Sequence, residues 1–576
     1  MSGVPAYFAS SLVTHGITFA SFTHVRELIE SMSQTPSKVT TENEGVVAKT
    51  PTKGTRFWLA MVCIMLSTFL AAFDTTSVAT ALPTIVADLH GTEFVWIGSG
   101  YTLASVASIP MSAHLANIFG RRPILLSCIL LFALGSALCG GAQSMAMLIG
   151  GRAVQGSGAG GILALTEIIL SDLVPLQERG MYQGLIGSVW SIACTLGPPV
   201  GGAFASRKDW TWRGLFYLNL PLTGIALVAC IFCLDLKVPK TNLSQKLARI
   251  DWAGNAIIVA STTSVLLGLT WGGIRFPWSS ASVLVPLILG LAGIAAFVVY
   301  EAFVPVEPTM PIRLLRNRTS ISGYLATAVH GILVAAVFFY IPVYFQACKG
   351  HSPIRSGVDL LPYSFSVAPA AIFIGATTSQ FNCYRIQNVV SWCFVLVGLG
   401  LHTILHVDSA VRNWVGFEFI AGIGFGMLFV VTTFPILAPL PVSDNGSALG
   451  LFIFIRSFFQ AWGVTIGSTV LENQLKVKLP EAFIQLLPQG LELSYGAIPQ
   501  ISALAEPLRR QVRDAFSGSL VVLWQVLLGI SALGLLSTLL MKELPMQTVS
   551  DERWGLNEQA KADVAGKSDN ATVKTV

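Results

Sequence analysis

Charge is what this sequence is shortest of. Only 11% of its 576 residues are Asp, Glu, Lys or Arg, against roughly 25% in soluble globular proteins. With 53% hydrophobic residues and a mean hydropathy of +0.67, too little polar surface remains to cover a water-soluble core. Three further absences narrow the function. No GxxxxGK[ST] phosphate loop occurs, since the GKS at 566–568 lacks its upstream glycine, and this excludes an ATP-driven pump. No concentrated basic face accompanies the net charge of +5, which excludes nucleic acid as a partner. No constellation of an enzyme or a metal centre is visible, so neither catalysis nor a bound cofactor is expected. The nine cysteines are scattered, mostly through apolar runs. The one close pair, Cys230 and Cys233, lacks flanking polar ligands and reads as two small lipid-compatible residues.

What is present is a series of long apolar runs. A spanning helix needs about 20 mostly apolar residues. Fourteen runs qualify, near 57–81, 94–116, 124–141, 146–171, 182–205, 215–234, 252–271, 282–303, 320–346, 358–380, 388–407, 414–438, 447–470 and 519–541. An all-α integral membrane protein follows. An even number of crossings places both termini on one side. With that side cytoplasmic, inner segments carry fifteen Lys or Arg and short outer loops seven, as the positive-inside rule requires. The sequons at Asn242, Asn317, Asn445 and Asn570 then face the cytoplasm and stay unglycosylated. The long outer loop 472–518 contains amphipathic stretches, such as 492–516, able to lie along the outer face as helix. The polar tail beyond Pro545 reads as disordered. The modestly apolar stretch 4–22, interrupted by His15, lacks the basic flank of a signal peptide and leaves Met32 as an alternative initiator.

Polar residues inside spans are costly and therefore mark function. Asp74 lies deep in the first run, FLAAFDTTSVATALPTI, where burial and a nearby cation oppose each other in setting its hold on a proton; a permanently paired Asp that only fixes packing is the plainer reading. Arg152 in the fourth run, LIGGRAVQGSGAGG, cannot deprotonate and must face a cavity or a partner. Gln155 is one turn along on the same face. Gly156, Gly158 and Gly161 satisfy GxGxxG, but inside a membrane helix they serve close helix approach, not a dinucleotide. The fifth run, GLIGSVWSIACTLGPPVGGAF, holds Gly197, Pro198, Pro199, Gly201 and Gly202, which predict a kinked, side-chain-poor helix able to seal or pivot. Between runs two and three, Gly120 permits a tight turn, and Arg121 and Arg122 can bond helix-terminal carbonyls or an acid.

These residues resemble the major facilitator superfamily, and within it the fungal branch of the fourteen-span drug:proton antiporter family. The family's loop signature GxLaDrxGrr is similar to residues 113–122, and RxxQGxGaa matches Arg152, Gln155, Gly156 and Gly158. GPxxGG matches Gly197, Pro198, Gly201 and Gly202, and LDxTIVxxALP resembles residues 73–83. Residues 210–221, RIDWAG (249–254), EPTMPIRLLRNRT (307–319), IPVYFQACKGHSP (341–353) and 454–456 also fit, so the resemblance covers about residues 55–545. Two positions depart from the pattern: Ala113 replaces a glycine and Asn117 an acid, removing a charge expected to pair with basic residues in one conformation. Glu167 and Glu418 are extra intramembrane acids, suited to a second proton, a cationic substrate or a polar neighbour.

The resemblance implies two six-helix bundles at 57–234 and 319–541, an inserted helix pair within 235–318, and cytoplasmic tails at 1–56 and 542–576. It implies proton coupling through Asp74, Arg152 and Glu167, and a gating loop of Asn117, Gly120, Arg121 and Arg122. The Gly197–Gly202 segment would resist leak, and Trp96, Tyr101, Gln155, Trp190, Glu418 and Arg456 would line a midplane substrate cavity. The function implied is export of amphipathic small molecules (drugs, fungicides or a fungal secondary metabolite) across the plasma membrane, by a monomer driven by the proton gradient. Vacuolar uptake of basic amino acids on the same fold and a non-transporting nutrient sensor are the alternatives.

Overall fold

A computed structural model describes residues 53–89, 95–206, 211–238, 242–273, 275–487, 493–551 and 553–556. The stretch 4–22, Met32, Arg207, Lys208, Trp210 and the Asn570 sequon lie outside the described residues. Among the described residues, fourteen helices of eighteen or more residues follow in order: α1 (Thr55–Leu89), α2 (Val95–Phe119), α3 (Arg121–Gly140), α4 (Met145–Leu173), α5 (Leu176–Ser206), α6 (Arg213–Cys233), α7 (Trp252–Trp271), α8 (Ala281–Phe303), α9 (Arg318–Val343), α10 (Leu361–Phe381), α11 (Arg385–His402), α12 (Val411–Val431), α13 (Asn445–Lys478) and α14 (Leu508–Ser537). Among the described residues there is no strand, only two isolated bridges.

Eleven of these segments are long and apolar enough to cross a membrane. The other three are α2, α5 and α11. Serines, glycines and His114 dilute α2; prolines, glycines and the Glu178–Arg179 turn dilute α5; Arg385, Gln387 and Asn388 open α11. Apolar side chains lie outside as well as in the core, and polar ones are buried with it. In α1, Trp58, Leu59 and Val62 are exposed while Ser67, Thr68, Asp74 and Ser77 are buried. Lipid is as apolar as leucine, so small and polar side chains take the interior.

The packing order repeats. In the first six helices α1 packs on α5 and α6, α4 lies between α2 and α3, and α3 meets α6. In the last six α9 packs on α13 and α14, α12 lies between α10 and α11, and α11 meets α14. The two sets touch where α5 runs along α10 and where α2 meets α13. Gly180 makes the first contact possible: a methyl there would come within 2.6 Å of the Gly375 carbonyl oxygen. Higher up, the Ser191 hydroxyl donates to the Ser364 carbonyl at 2.9 Å.

The pair α7–α8 lies at the side. α8 packs chiefly on α7, and α7 on α2 and α13; Val285, Ile288, Leu289 and Val299 of α8 are exposed apolar residues. The RIDWAG stretch anchors the pair. Asp251 caps α7 by accepting from Gly254 N at 2.8 Å and from the Tyr300 hydroxyl at 3.0 Å. Arg313, in the linker to α9, makes a two-pronged 2.8 Å bond to Asp444 at the start of α13.

Two expectations are corrected. The loop 472–518 is shorter, because α13 continues to Lys478 through Glu472 and Lys476, and α14 begins at Leu508; both helices outrun their apolar portions. The tail is ordered as far as Leu556, forming a strap across the end of the helices that bears Gly120. Glu543 accepts from the free N–H groups of Tyr384 and Arg385 at 2.8 and 3.0 Å, capping α11. The Gln547 carbonyl accepts from Gln177 N at 3.2 Å on α5, while its side chain joins Asn445 of α13. Gly555 accepts from Lys237 N at 3.2 Å, and Leu556 forms a bridge with Leu236. The strap is thus bonded to both halves. Ending the chain at Leu544 is expected to speed labelling of a cysteine placed at Ser447 by a membrane-impermeant maleimide several-fold; an unchanged rate would mean the strap does not hold this end shut.

Candidate functional site

Five helices of the first half converge on Asp74. The glycines of α4 allow it: Gly156 and Gly160 face the α2 backbone at Tyr101 and Ser105, and a methyl on Gly158 would meet Phe132 N of α3 at 2.6 Å. This close packing carries Arg152 and Gln155 inward. Arg152 Nη1 donates to Asp74 Oδ2 at 2.5 Å and to Gln155 Oε1 at 2.6 Å, and its Nε donates to the Ile97 carbonyl at 3.2 Å. Asp74 Oδ1 accepts from Gln155 Nε2 at 2.9 Å and from Asn219 Nδ2 of α6 at 2.7 Å. Gln155 also donates to Ser136 Oγ of α3 at 2.8 Å. The Arg152 guanidinium lies 4.1 Å from the centre of the Tyr101 ring. Asp74 and Gln155 are fully buried, and Arg152 and Asn219 nearly so.

A buried charge pair survives only when its remaining lone pairs and protons are satisfied. Here three donors meet one carboxylate, so its bonds are satisfied within the protein. α5 supports it from behind. Gly197 packs on the Thr76 side chain, where a methyl would meet Ser77 N at 3.0 Å, and the Thr80 hydroxyl donates to the Pro198 carbonyl at 3.3 Å. α5 runs unbroken through Pro198 and Pro199; Gly197 and Gly201 seat the Asp74 turn, and Gly202 lies 3.9 Å, as a methyl, from Ile354.

The Gly120 turn forms a second cluster. Gly120 has φ of 101°, a conformation that favours glycine. Arg121 pairs with Asp172 of α4 at 2.9 Å and donates to the Ala116 carbonyl and Asn117 Oδ1, both at 2.8 Å. Asn117 Nδ2 crosses to Ser447 Oγ of α13 at 3.2 Å. The missing acid at 117 is thus replaced by a neutral bridge, and the charge partner of Arg121 is Asp172. Trp554 of the strap stacks on Arg121 at 3.7 Å. Arg122 donates to the Ile231 carbonyl.

Not every expected residue joins these clusters. Glu167 accepts from Gln183 Nε2 at 3.0 Å, and Gln183 reaches Thr433, at the start of the short helix Thr433–Leu437 that follows α12, at 3.3 Å. It faces the junction of the two halves, about 22 Å along α4 from Arg152 at 1.5 Å per residue, and the structure does not join it to Asp74. Arg456 is stacked between Phe429 and Phe452 at 4.4 and 4.2 Å. Trp190 packs beside Phe69 and Phe73. Trp96 instead meets Trp271 of α7, ring centres 6.2 Å apart, on the side of the α7–α8 pair. Glu418 is buried in α12, within the second half. Sequence reasoning missed Asn219, Ser136 and Asp172; the only signal was a polar residue within or at the end of an apolar run.

Comparison with known proteins shows the family. Residues 64–464 match the family model described as Major Facilitator Superfamily. The chain is 42% identical over 517 residues to the efflux pump FUS6 of Gibberella fujikuroi, covering 88% of this chain and 93% of that one. It is 36% identical over 516 residues to the acurin A biosynthesis cluster MFS-type transporter of Aspergillus aculeatus, covering 88% and 93%. Among solved structures, the human organic anion transporter MFSD10 superposes with a TM-score of 0.53 at 13% identity, over 85% of this chain and all of that one; that likeness concerns the fold.

Arg152→Ala leaves Asp74 buried without a counter-charge and is expected to cost about 3–5 kcal/mol. Thermal unfolding in detergent measures it. Joining Asp74→Asn with Arg152→Ala is expected to restore at least about 1 kcal/mol relative to the sum of the two single variants; simple additivity would contradict the pairing.

Proposed function

Because the chain belongs to the major facilitator superfamily, we propose that it is a proton-coupled antiporter of the fourteen-span drug:proton type, exporting amphipathic small molecules such as a fungal secondary metabolite or a drug. The observation that carries this reading is the buried Asp74–Arg152 pair. An acid and a fixed cation sealed within membrane helices form a switch: protonating Asp74 removes the attraction that holds α1 to α4, and deprotonation restores it. The names of the relatives, an efflux pump and a biosynthetic-cluster transporter, support outward movement of a metabolite.

In this reading the α1–α6 and α9–α14 sets are the two bundles, with α7–α8 inserted between them. The Gly120 end faces the cytoplasm, as do both termini, and the membrane is the plasma membrane. The described conformation is then closed to the cytoplasm, where Asn117–Ser447, Gly180–Gly375 and the strap hold the halves together. Substrate enters between the halves, where Trp190, Gln183 and Arg456 offer an aromatic, polar and cationic lining, and the halves rock about it.

Purified protein in proteoliposomes with an imposed pH gradient is expected to move a fluorescent lipophilic cation. Asp74→Asn is expected to reduce that flux to the level of empty liposomes while substrate binding persists. Full gradient-driven flux in the variant would remove Asp74 as the coupling group. Flux of lysine or arginine instead would identify a basic amino-acid carrier, and binding without flux in the unaltered protein a sensor.

A further inference from the structure

The second half holds an acid that the Asp74 switch does not use. Glu418 lies in α12, 1% exposed, and its Oε2 has no hydrogen-bond partner. Around it are aromatic side chains: Trp414 one turn away packs on Phe345 at 4.8 Å between ring centres, and the Tyr363 ring meets Phe425 at 5.8 Å. The Tyr363 hydroxyl is likewise buried without a partner.

A second acid nearby has taken the available basic side chains. Asp359, on the short helix Pro353–Asp359, bonds His351 Nδ1 at 2.5 Å and Arg355 Nε at 3.0 Å. Asp359 is buried, whereas His351 is 31% and Arg355 61% exposed. The trio thus leads from solvent at the end opposite the strap toward the interior. Asp359, Tyr363 and Tyr344 lie within electrostatic reach of Glu418. Other titratable or charged groups on elements packed around α12 include His330 of α9, which meets Phe425, His402 of α11, which bonds the Gly398 carbonyl and packs on Trp524, Cys194 of α5, and Arg456 of α13, which donates to the Phe429 carbonyl at 2.9 Å, eleven residues along α12 from Glu418. None of these supplies Glu418 with a counter-charge.

An ionised carboxylate left buried and unpaired is too costly to persist, so Glu418 is neutral and carries its proton in this conformation. Asp74 in the same conformation is bonded by three donors. We propose that Glu418 is a second proton-exchanging carboxyl, in the second half of the chain, loaded from the end opposite the strap past His351 and Asp359. The exchange forms and breaks one O–H bond on Glu418, the proton coming from and returning to solvent, with no other bond changed. A metal cation does not fit: hard cations demand about six or more oxygen ligands, and no group of three or more His, Cys, Asp or Glu able to hold a metal occurs among the described residues.

This inference rests on the antiport reading, and one assay separates the two. Proteoliposomes carrying a trapped pH dye, with the membrane potential clamped, report protons moved per substrate. Glu418→Gln keeps the shape of the protonated acid and is expected to lower that ratio by one. At a gradient of one pH unit each coupled proton is worth a factor of ten, so the limiting substrate gradient is expected to fall about tenfold. Glu418→Asp, which keeps a titratable carboxyl, is expected to retain the original ratio. If the Gln variant does not accumulate, Glu418→Leu, matched to the apolar surroundings, is read in its place with the same expectation. An unchanged ratio in the Gln or Leu variant, with protons moved by the unaltered protein, overturns this inference alone; no proton movement in the unaltered protein overturns the antiport reading beneath it.

Discussion

A charge buried in a membrane protein must find its partners within the protein. The Asp74–Arg152 pair imposes that demand, and much of the first half answers it. Asn219 and Gln155 complete the carboxylate, the Ile97 carbonyl and the Tyr101 ring complete the guanidinium, and Ser136 holds Gln155. These partners come from different helices, so the pair fixes the relative positions of α1, α2, α3, α4 and α6. The glycines of α4 and the Gly197–Gly202 segment of α5 are the steric counterpart, removing side chains wherever the helices must come close enough for the bonds to form. Electrostatic need and small-residue packing are thus two descriptions of one arrangement.

Much of this could be read from the residues in order. Asp74, Arg152 and Gln155 each interrupt an apolar run, and polarity in lipid is a strong signal. Glycine placement foretold close approach, and Gly120 a tight turn. What could not be read was depth and direction. Glu167 shares a helix with Arg152, yet fifteen positions of helical rise put it at the junction of the halves, beside Gln183. Trp96 looked equal to Tyr101, but the turn of α2 aims one at α7 and the other at Arg152. Asp172 lies fifty-one residues from Arg121, and only the fold reveals that they pair.

The misreading of the tail has another cause. Residues beyond Pro545 have the composition of a disordered segment, with little apolar surface to bury. Their order comes from groups elsewhere: the Gln177 N–H in the first turn of α5, Asn445 at the start of α13, and the face of the Arg121 guanidinium. A helix terminus always presents such groups, and a nearby polar chain can satisfy them without a core of its own. Composition measures what a segment can bury, and is blind to what its neighbours lack.

The strap follows the last long helix, and that position sets the timing of assembly. During synthesis α1 through α14 leave the ribosome before Glu543, Gln547 and Trp554 do. The Gly120 end therefore spends the whole of membrane insertion without the segment that ties its two halves together. Its latch closes only after the last long helix has been made, so a chain whose last helices are misplaced emerges unlatched.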